Sequence, residues 1–261
     1  KDLNWKIALA CKAELERSYD ARVILTRAEN ECPGLAERVD RALDADADVF
    51  VSLHINSAGV AARGAEVYHP NNSTFHQELY ARGQRLSRSI LAELSALGLP
   101  NRGAKIRNTE AGGKYPDGSP SDYYSVIYYS RLKGVLGIIV EHAFITNSSD
   151  AVLLRNDASL AAMGQADARG IGAYYGLKVT PGWKLVNRRW KHHDGTSYAV
   201  GGWREVDGRQ YLFDGSGYML TGWQKVGGTW YYLADSGAMH TGWLNDGGTW
   251  YYLTPGSGAM A

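Results

Sequence analysis

Hydrophobic and polar residues alternate with two different periods along the first two thirds of the chain. Apolar residues recur every three or four positions, as on a helix that buries one face, in four segments: 3–17, 35–43, 71–97 and 159–175. Short apolar or alternating runs, typical of strands, occur at 22–26, 49–56, 65–69, 128–129 and 137–141. This alternation of helices and strands predicts an α/β fold with a mostly parallel twisted sheet flanked by helices. We expect the run Asn71-Asn72-Ser73 to cap the third helix.

The run Val49–Asn56 is the most informative of these strands. Side chains on a strand point to opposite faces in turn, so Ser52, His54 and Asn56 share one face while apolar side chains share the other. Three polar groups near the end of a buried strand indicate that the strand opens onto a site. The alternative interpretation is a core histidine whose hydrogen bonds are satisfied.

A second polar group ends the apolar run Ile138–Val140. Glu141 follows directly, and a carboxylate at the end of a buried strand costs free energy unless it is paired or functional. Alternation places Glu141 and His142 on opposite faces of that strand. A zinc hydrolase needs about three protein ligands and a nearby general base. His54 and Glu141 alone therefore indicate only a fragment of such a site.

Composition and loop length limit the function classes that remain. Basic and acidic residues nearly balance, the net charge is +1, and no basic cluster marks a nucleic-acid groove. No apolar run approaches the ~18 residues that cross a bilayer.

The two cysteines, Cys11 and Cys32, are expected to be unpaired thiols. The segment 98–125 is rich in Gly, Pro, Asn and Asp, and we expect it to wall a substrate groove.

The pattern changes at residues 178–182, which we interpret as a linker between a domain at 1–177 and a repeat domain at 183–261. In the repeat domain Gly-Trp recurs with a period of 20 residues, at Trp183, Trp203, Trp223 and Trp243. Each of the four repeats holds two short strands around a Gly or Asp-Gly turn, the signal of a hairpin. A hairpin of ~20 residues cannot bury a core alone. We therefore predict a β-hairpin repeat solenoid in which neighbouring hairpins stack.

Six motifs of the first domain, taken in order, resemble those of the zinc-dependent N-acetylmuramoyl-L-alanine amidases of the Amidase_3 type. They are Leu25–Arg27, Leu35–Arg38, Ala47–Asn56, Gly64–Tyr68, Asn101–Gly103 and Val140–Asn147. The resemblance implies a peptidoglycan hydrolase. Such an enzyme uses zinc-activated water to cleave the amide between N-acetylmuramic acid and the L-alanine of the stem peptide.

The same resemblance assigns roles to single residues. It implies His54 as a zinc ligand and Glu141 as the catalytic residue. The family's first histidine ligand and its glutamate ligand would fall upstream of Lys1, so we expect further residues there. The candidate substrate-binding residues are Asn56, Arg63 and Arg102.

The repeat pattern resembles the choline-binding, or cell-wall-binding, repeats of Gram-positive surface proteins. Aromatic faces attract a quaternary ammonium by about 0.5–2 kcal/mol per contact. The resemblance therefore implies choline-bearing teichoic acid or another wall polymer as the partner. We expect the best aromatic cages between the last two repeats, and repulsion of choline by Lys191 in the first. The candidate binding residues are Trp203, Trp223, Trp230, Tyr232, Met239, Trp243, Trp250 and Tyr252.

Together these features predict a modular cell-wall hydrolase that is secreted and wall-associated, or released as a phage lysin. The hydrolase interpretation depends on geometry, because His54 and Glu141 must converge on one open cleft. Two alternatives stay open. One is a non-catalytic wall-binding or adhesion protein with a decayed amidase domain, and the other is a zinc peptidase that cuts within the stem peptide.

Overall fold

The computed structural model describes residues 2–186 and 188–261, and the chain divides into two compact units. Lys178 ends the first unit and Val179 begins the second. All helices among the described residues lie in the first unit: α1 (Asp2–Ser18), α2 (Leu35–Asp44), α3 (Glu78–Ala96), α4 (Ser125–Leu132), α5 (Ser148–Leu154) and α6 (Asp157–Tyr175). None of the described helices combines the length and the hydropathy that a bilayer span requires.

A four-stranded sheet forms the centre of the first unit. Its strands are β1 (Val49–Asn56), β2 (Ala65–Tyr68), β3 (Asn101–Lys105) and β4 (Leu136–Phe144). They lie in the order β1–β4–β2–β3. β1 and β4 are parallel, as are β2 and β3, whereas β4 and β2 are antiparallel. The predicted α/β class, with a mostly parallel sheet flanked by helices, is therefore confirmed, with one antiparallel pairing.

β4 is the centre of the core, because every one of its 9 residues is buried. On one face, Ile138 and Val140 pack among buried residues of α1, α3 and α6. On the other face, Ile139 packs with Phe50 of β1 and Ile127 of α4. Helices that cover both faces of this strand explain why its sequence is an apolar run rather than an alternating one.

The predicted strand at Tyr128–Tyr129 is wrong, because both residues lie in α4. Tyrosine favours strands in general. Here, however, Val126, Ile127 and Ser130 are buried at the spacing of one helix face. Burial of that face against β4 overrides the local preference of the two tyrosines.

The predicted strand at residues 22–26 is also wrong, since this segment has no regular secondary structure. No described strand pairs with it. The backbone N–H of Val23 donates to Glu16 Oε1 at 3.2 Å, and its C=O accepts from Lys12 Nζ at 2.7 Å. Side chains of α1 therefore satisfy backbone groups that a neighbouring strand would otherwise bind.

The predicted cap at Asn71 is wrong as well, because α3 begins at Glu78. Asn71 is fully buried. Its side-chain oxygen accepts hydrogen bonds from the Ser73 backbone N–H at 3.0 Å and from Arg131 Nη1 at 2.7 Å. The polar run that indicated a helix cap is thus an anchoring turn ahead of the helix.

Arg131 anchors both this turn and the segment 106–124. The guanidinium is fully buried and donates to the C=O of Phe75 at 2.6 Å. It also lies 3.3 Å from Asp122 Oδ2, which accepts a hydrogen bond from the Tyr115 hydroxyl at 2.7 Å. One buried cation therefore holds an otherwise irregular segment against the core.

The second unit consists of four antiparallel hairpins. They are β5 (Gly182–Val186) with β6 (Arg189–His193), β7 (Gly202–Val206) with β8 (Arg209–Phe213), β9 (Gly222–Val226) with β10 (Thr229–Leu233), and β11 (Gly242–Asp246) with β12 (Thr249–Leu253). The methionine that follows a hairpin binds the preceding one, as the Met239 N–H does with the Gln210 C=O at 2.8 Å. The predicted β-hairpin solenoid is therefore confirmed.

Replacing Arg131 by methionine should lower the free energy of unfolding by about 3–5 kcal/mol, because the Asp122 carboxylate would be left buried without its cation. Arg155 is exposed at the end of α5, so Arg155→Met should change stability by less than about 0.5 kcal/mol. Denaturant unfolding followed by helical circular dichroism measures both variants. Equal stabilities would contradict the anchoring role of Arg131.

Candidate functional site

Three ionisable side chains lie in a row across the sheet, one on each of three neighbouring strands. His54 of β1 is opposite Glu141 of β4, and Glu141 is opposite Glu66 of β2. Residues directly opposite each other on paired strands project from the same face, and neighbouring strands are about 4.8 Å apart. The three side chains therefore face one side of the sheet. We term them the His54–Glu141–Glu66 row.

Glu141 is the member of the row whose charge is least compensated by hydrogen bonds or ion pairs. Only 8% of the residue is exposed, and its Oε2 atom has no hydrogen-bond partner among the described residues. Burial disfavours the charged carboxylate and raises its pKa to about 7, a shift that His142 opposes and the nearby Glu66 reinforces. Near neutral pH, Glu141 can therefore both accept and donate a proton.

Glu66 is equally buried, but its charge is compensated. Its carboxylate accepts hydrogen bonds from Lys105 Nζ at 2.5 Å, Arg102 Nε at 2.7 Å and the Tyr68 hydroxyl at 3.0 Å. Burial alone would raise the pKa of Glu66, but these donors and cations outweigh it and the pKa is lowered. The two carboxyls of the row therefore differ in protonation, with Glu66 ionised and Glu141 poised between its two forms.

The predicted substrate-binding residues are not equally close to the row. Asn56 Nδ2 donates to Glu66 Oε1 at 2.9 Å. Arg102 is paired with Glu66 and its guanidinium lies 4.7 Å above the centre of the Phe144 ring. Arg63 is exposed in the loop before β2, and no hydrogen bond or ion pair between described residues joins it to the row. Asn56 and Arg102 are thus hydrogen bonded to Glu66, whereas no such bond between described residues joins Arg63 to it.

His54 is held as a neutral imidazole. Its Nε2 atom lies 3.0 Å from Ser52 Oγ. Burial lowers the pKa of His54, with smaller contributions from the positive charges of His142 and Arg38. A neutral imidazole is the form that binds metal ions.

These residues do not by themselves fit a zinc ion. A catalytic zinc takes about three protein ligands. Across residues 2–186 and 188–261, no group of three His, Cys, Asp or Glu side chains is arranged to hold a metal ion. The row offers one histidine whose Nε2 atom is already hydrogen bonded, and a Glu66 whose Oε2 binds two cations and whose Oε1 accepts two further hydrogen bonds.

His142 faces the opposite side of the sheet. Its Nε2 atom lies 2.8 Å from Asp167 Oδ2 of α6, and its Nδ1 atom lies 3.0 Å from the backbone C=O of His54. Burial acts to lower the pKa of His142, but the Asp167 charge outweighs it and the pKa is raised. Because Nδ1 contacts the His54 backbone, the buried pair of His142 and Asp167 fixes β1 at the point where His54 projects. His69 is separate, since its Nδ1 atom contacts the Pro70 C=O at 2.9 Å.

Aromatic rings of the repeats group between neighbouring hairpins. Trp223 and Trp230 of the third hairpin lie edge to face with their ring centres 6.4 Å apart. Trp223 also contacts Tyr251 of the fourth hairpin at 4.8 Å, and the Met260 N–H donates to the Trp230 C=O at 2.8 Å. We term Trp223, Trp230 and Tyr251 the Trp223 cluster. A similar contact joins Trp203 to Tyr231 at 5.1 Å.

Trp243, Trp250 and Tyr252 form a separate cluster on the last hairpin. Trp243 lies 6.5 Å from Trp250 and 5.1 Å from Tyr252. Alternation along β12 places Trp250 and Tyr252 on one face and Tyr251 on the other, which faces the third hairpin. From the fourth hairpin, Tyr251 contacts the Trp223 ring and Asp246 Oδ2 accepts a hydrogen bond from Trp223 Nε1 at 2.8 Å. The aromatic residues expected to form cages between the last two repeats thus lie in two groups, and their role in binding stays a prediction.

Lys191 does not face the aromatic ring of Trp190, because the two are consecutive on β6 and project to opposite faces. Its Nζ atom donates to the Ser216 C=O at 2.7 Å and lies 4.4 Å from the centre of the Tyr218 ring. The cation thus lies against the rings of Tyr218 and, at 5.5 Å, Tyr198, and the expected repulsion of choline at the first repeat stays a prediction.

Comparison with known proteins identifies both units. The family model described as N-acetylmuramoyl-L-alanine amidase matches residues 1–173. The chain belongs to the N-acetylmuramoyl-L-alanine amidase family. The choline-binding repeat model matches residues 200–240 and 220–261 of this family member. The resemblance of both units is therefore confirmed.

Individual relatives agree with this assignment. The chain is 34% identical over 176 residues to the N-acetylmuramoyl-L-alanine amidase LytC of Bacillus subtilis, covering 67% of this chain and 31% of LytC. It is 28% identical over 200 residues to the endolysin of Bacillus phage SPP1, covering 77% of this chain and 67% of the endolysin. Cwp6 from Clostridium difficile is similar in structure, with a TM-score of 0.55 at 25% identity, covering 66% of this chain and 25% of Cwp6. The chain thus spans about a third of LytC and a quarter of Cwp6.

Two residues of this amidase-family chain were missed in the sequence, although signals for both were present. Glu66 is a carboxylate inside the short apolar strand β2, the same signal that singled out Glu141. Tyr251 follows from alternation in β12, which the repeat pattern of Trp and Tyr residues obscured. The surroundings of Glu66 are decided by the neighbouring strand, and those of Tyr251 by the neighbouring hairpin, rather than by the sequence motif.

Replacing Glu141 by glutamine should change how stability depends on pH. Because the folded pKa of about 7 lies above the ordinary value of 4.5, the carboxyl destabilises the fold once it is ionised. The wild-type penalty should be absent below pH 4.5, develop up to about pH 7, and reach about 3 kcal/mol above it. The glutamine variant should therefore be more stable than wild type at alkaline pH only.

The comparison requires denaturant unfolding of both proteins in a chelating buffer at acid and alkaline pH. Glu110→Gln is the control, since Glu110 is exposed and paired with Arg107. A stability difference between wild type and Glu141→Gln that does not change with pH would refute the raised pKa.

Proposed function

We propose that the first unit hydrolyses the amide between N-acetylmuramic acid and the L-alanine of the peptidoglycan stem peptide, and that the repeats hold it on a wall polymer. The observation that carries the proposal is the pairing of His54 with Glu141 on one face of the sheet of an amidase-family chain. The curated LytC amidase and the phage endolysin support it. Such a protein acts at the cell wall, either secreted or released as a phage lysin.

Glu141 is the proposed proton-transfer residue. Its carboxylate accepts a proton from the attacking water as the water oxygen bonds to the amide carbon. The carboxyl then returns the proton to the leaving nitrogen as the C–N bond breaks. A pKa of about 7 suits both steps near neutral pH. Glu66, kept ionised by Arg102 and Lys105, raises the pKa of Glu141 and so strengthens it as the proton acceptor in the first step.

Zinc dependence, which is general in this family, is not supported by the described residues alone. One histidine and one unpaired carboxyl are fewer than the about three ligands that a catalytic zinc takes. The second candidate function is a wall-binding protein with an inactive amidase unit. The two candidates differ in whether the chain releases stem peptides from peptidoglycan.

The repeats are proposed to bind choline on teichoic acid or a similar cationic group of another wall polymer. In the Trp223 cluster, Trp223 contacts Trp230 of its own hairpin and Tyr251 of the fourth hairpin, and 40% of Trp230 is exposed. A quaternary ammonium against such faces gains about 0.5–2 kcal/mol per ring. Weak sites repeated along one chain add their effects through avidity.

The amidase proposal predicts that the chain releases stem peptides with a free L-alanine amino group from purified peptidoglycan. Glu141→Gln should lower the rate about 10²–10⁴-fold, because the proton acceptor is lost. Glu110→Gln, at an exposed position, should match the wild type. Mass analysis of the soluble products measures all three.

Three outcomes of this assay separate the candidates. Cleavage at the lactyl amide supports the amidase, and cleavage within the stem peptide indicates a peptidase instead. Intact peptidoglycan with retained wall binding indicates the non-catalytic alternative. Full activity of Glu141→Gln would exclude the proposed role of Glu141.

The wall-binding proposal predicts that Tyr251→Leu weakens one choline site. The loss of one ring from the Trp223 cluster should weaken that site by about 0.5–2 kcal/mol, roughly 2–30-fold. Tyr251→Phe keeps the ring and should bind choline as wild type does. Calorimetric titration with choline chloride gives the number of sites and their affinities. Identical titrations for the leucine and phenylalanine variants would count against the cluster as a ligand site.

A further inference from the structure

Three rings meet at the junction of the first two hairpins. Trp183 of β5 lies edge to face with His192 of β6, with the ring centres 5.0 Å apart. Trp183 also contacts Tyr211 of β8, in the second hairpin, at 4.8 Å. We term Trp183, His192 and Tyr211 the Trp183 cluster. The match to the choline-binding repeat model begins at residue 200, so it includes neither ring of the first hairpin.

The Trp183 cluster has the same geometry as the aromatic group of the third hairpin. His192 lies directly opposite Trp183 on its strand pair, as Tyr232 lies opposite Trp223. The ring centres are 5.0 Å apart in the first pair and 5.2 Å apart in the second. In both groups, a tyrosine of the following hairpin contacts the tryptophan at 4.8 Å. An imidazole therefore takes the place of a phenol in an otherwise equivalent group of rings.

The cluster has a buried side and an accessible side. Phe213 is 2% exposed and stacks against Trp183 with the ring centres 5.9 Å apart, so it forms the inner wall. Trp183 and His192 are half-buried, and both rings therefore reach solvent in part. A small ligand can approach these two rings from the solvent side.

The imidazole makes this group of rings titratable near neutral pH. A neutral imidazole is an uncharged ring, and it allows a cation to lie against the neighbouring indole. A protonated imidazole is itself a cation, 5.0 Å from the centre of the Trp183 ring. Two positive charges this close repel each other strongly in a partly desolvated site. A quaternary ammonium and a protonated His192 therefore exclude each other.

We propose that the Trp183 cluster binds a quaternary ammonium group, such as the choline of a wall polymer, only while His192 is neutral. This inference rests on the proposed wall-binding function of the repeats. It adds a site outside the matched repeats, and the occupancy of that site depends on pH. Because weak sites act together through avidity, the loss of one site in acid lowers retention on the wall more than in proportion.

The charges around His192 set the pH at which the site closes. Burial lowers the pKa of His192 from its ordinary value of 6.5, and the positive charges of His193 and Lys184 act in the same direction. The carboxylates of Asp207 and Asp194 oppose this shift without cancelling it. His192 is therefore neutral near pH 7. The site should close as the pH falls through the lowered pKa of this histidine.

The two neighbours of His192 on β6 do not belong to the cluster. Lys191 and His193 project to the opposite face of the strand. Lys191 Nζ donates to the Ser216 C=O at 2.7 Å. His193 is buried, and its Nδ1 atom accepts a hydrogen bond from the Gly195 backbone N–H at 3.0 Å. His192 is therefore the histidine of this strand that faces the tryptophan.

The test uses the 261-residue chain with nitrogen-15-labelled tryptophan, and choline chloride as the ligand. The indole N–H signals of Trp183 and Trp223, assigned with Trp183→Phe and Trp223→Phe, give the Kd at each cluster separately. At Trp183 the Kd should be constant above the midpoint of His192. Below that midpoint it should rise about tenfold per pH unit, because only the neutral fraction binds choline. Circular dichroism at each pH establishes that the hairpins are folded.

Choline binding and protonation of His192 should affect each other reciprocally. Choline at about ten times its Kd should lower the midpoint of His192 by about one pH unit, because the ligand stabilises only the neutral form. Carbon-13 NMR of labelled histidine measures this midpoint with and without choline. A midpoint that does not move at saturating choline overturns the proposal.

Three variants locate the effect. His192→Tyr restores the phenol, so the Kd at Trp183 should be the same at about pH 8 and about pH 5. His192→Lys carries a permanent charge and should bind choline there at least about tenfold more weakly at both. His240→Gln is the matched control and should leave the pH dependence at Trp183 unchanged. His240 also lies near an aromatic ring, 6.3 Å from that of Tyr232, and its Nε2 atom is 3.1 Å from the Trp243 C=O.

The possible outcomes separate this proposal from the proposed function. Choline binding at Trp183 that does not change with pH overturns the proposal, as does choline binding at the Trp223 cluster alone. PH dependence that persists in His192→Tyr also overturns it. If that variant does not fold, the wild-type titration and the effect of choline on it decide the matter. Absence of choline binding at both clusters overturns the wall-binding proposal as well, so the two failures are distinguishable.

Discussion

The parallel pairing of β1 with β4 is the interaction on which the candidate site depends. It sets His54 opposite Glu141, and the neighbouring antiparallel pairing adds Glu66 to the same row. A shift of one residue in either register would move a side chain to the other face of the sheet. Burial of β4 on both faces and the contact of His142 with the His54 backbone prevent such a shift.

The same register gives the two carboxyls of the row different chemistry. Glu66 lies where Arg102 and Lys105 of β3 supply two cations, so its ionised form is stabilised. Glu141 lies between His54 of β1 and Glu66 of β2, with an oxygen that no described group binds. Burial without compensation is what makes a carboxyl useful for proton transfer near neutral pH. The arrangement therefore links a cost in stability to the proton-transfer role that we propose for Glu141.

The sequence predicted the elements whose patterns are long or whose burial is complete. Val49–Asn56 and the apolar run before Glu141 were recognisable because the spacing of their apolar residues agrees with the burial of these strands. The 22–26 and Tyr128–Tyr129 segments were misassigned because tertiary partners, or their absence, decided the outcome. Local preference contains no information on whether a neighbouring strand is present.

Prediction of the sites was limited in the same way. His54 and Glu141 were identified as residues, but Glu66 joins them only through a strand pairing that motifs do not encode. In the repeats, the Gly-Trp period identified the aromatic residues. Whether Tyr251 or Tyr252 contacts the third hairpin depended on which face of β12 meets that hairpin. The spacing of residues in the sequence therefore predicted which types of side chain are present. The packing of neighbouring strands and hairpins decided which of them contact one another.

The central claim is that two carboxyls of one row are held in different protonation states. Carbon-13 NMR titration of the side-chain carboxyls, assigned with Glu141→Gln and Glu66→Gln, measures this directly. The structure predicts a midpoint of about 7 for Glu141 and a midpoint below 4.5 for Glu66. Midpoints near 4.5 for both groups would contradict it.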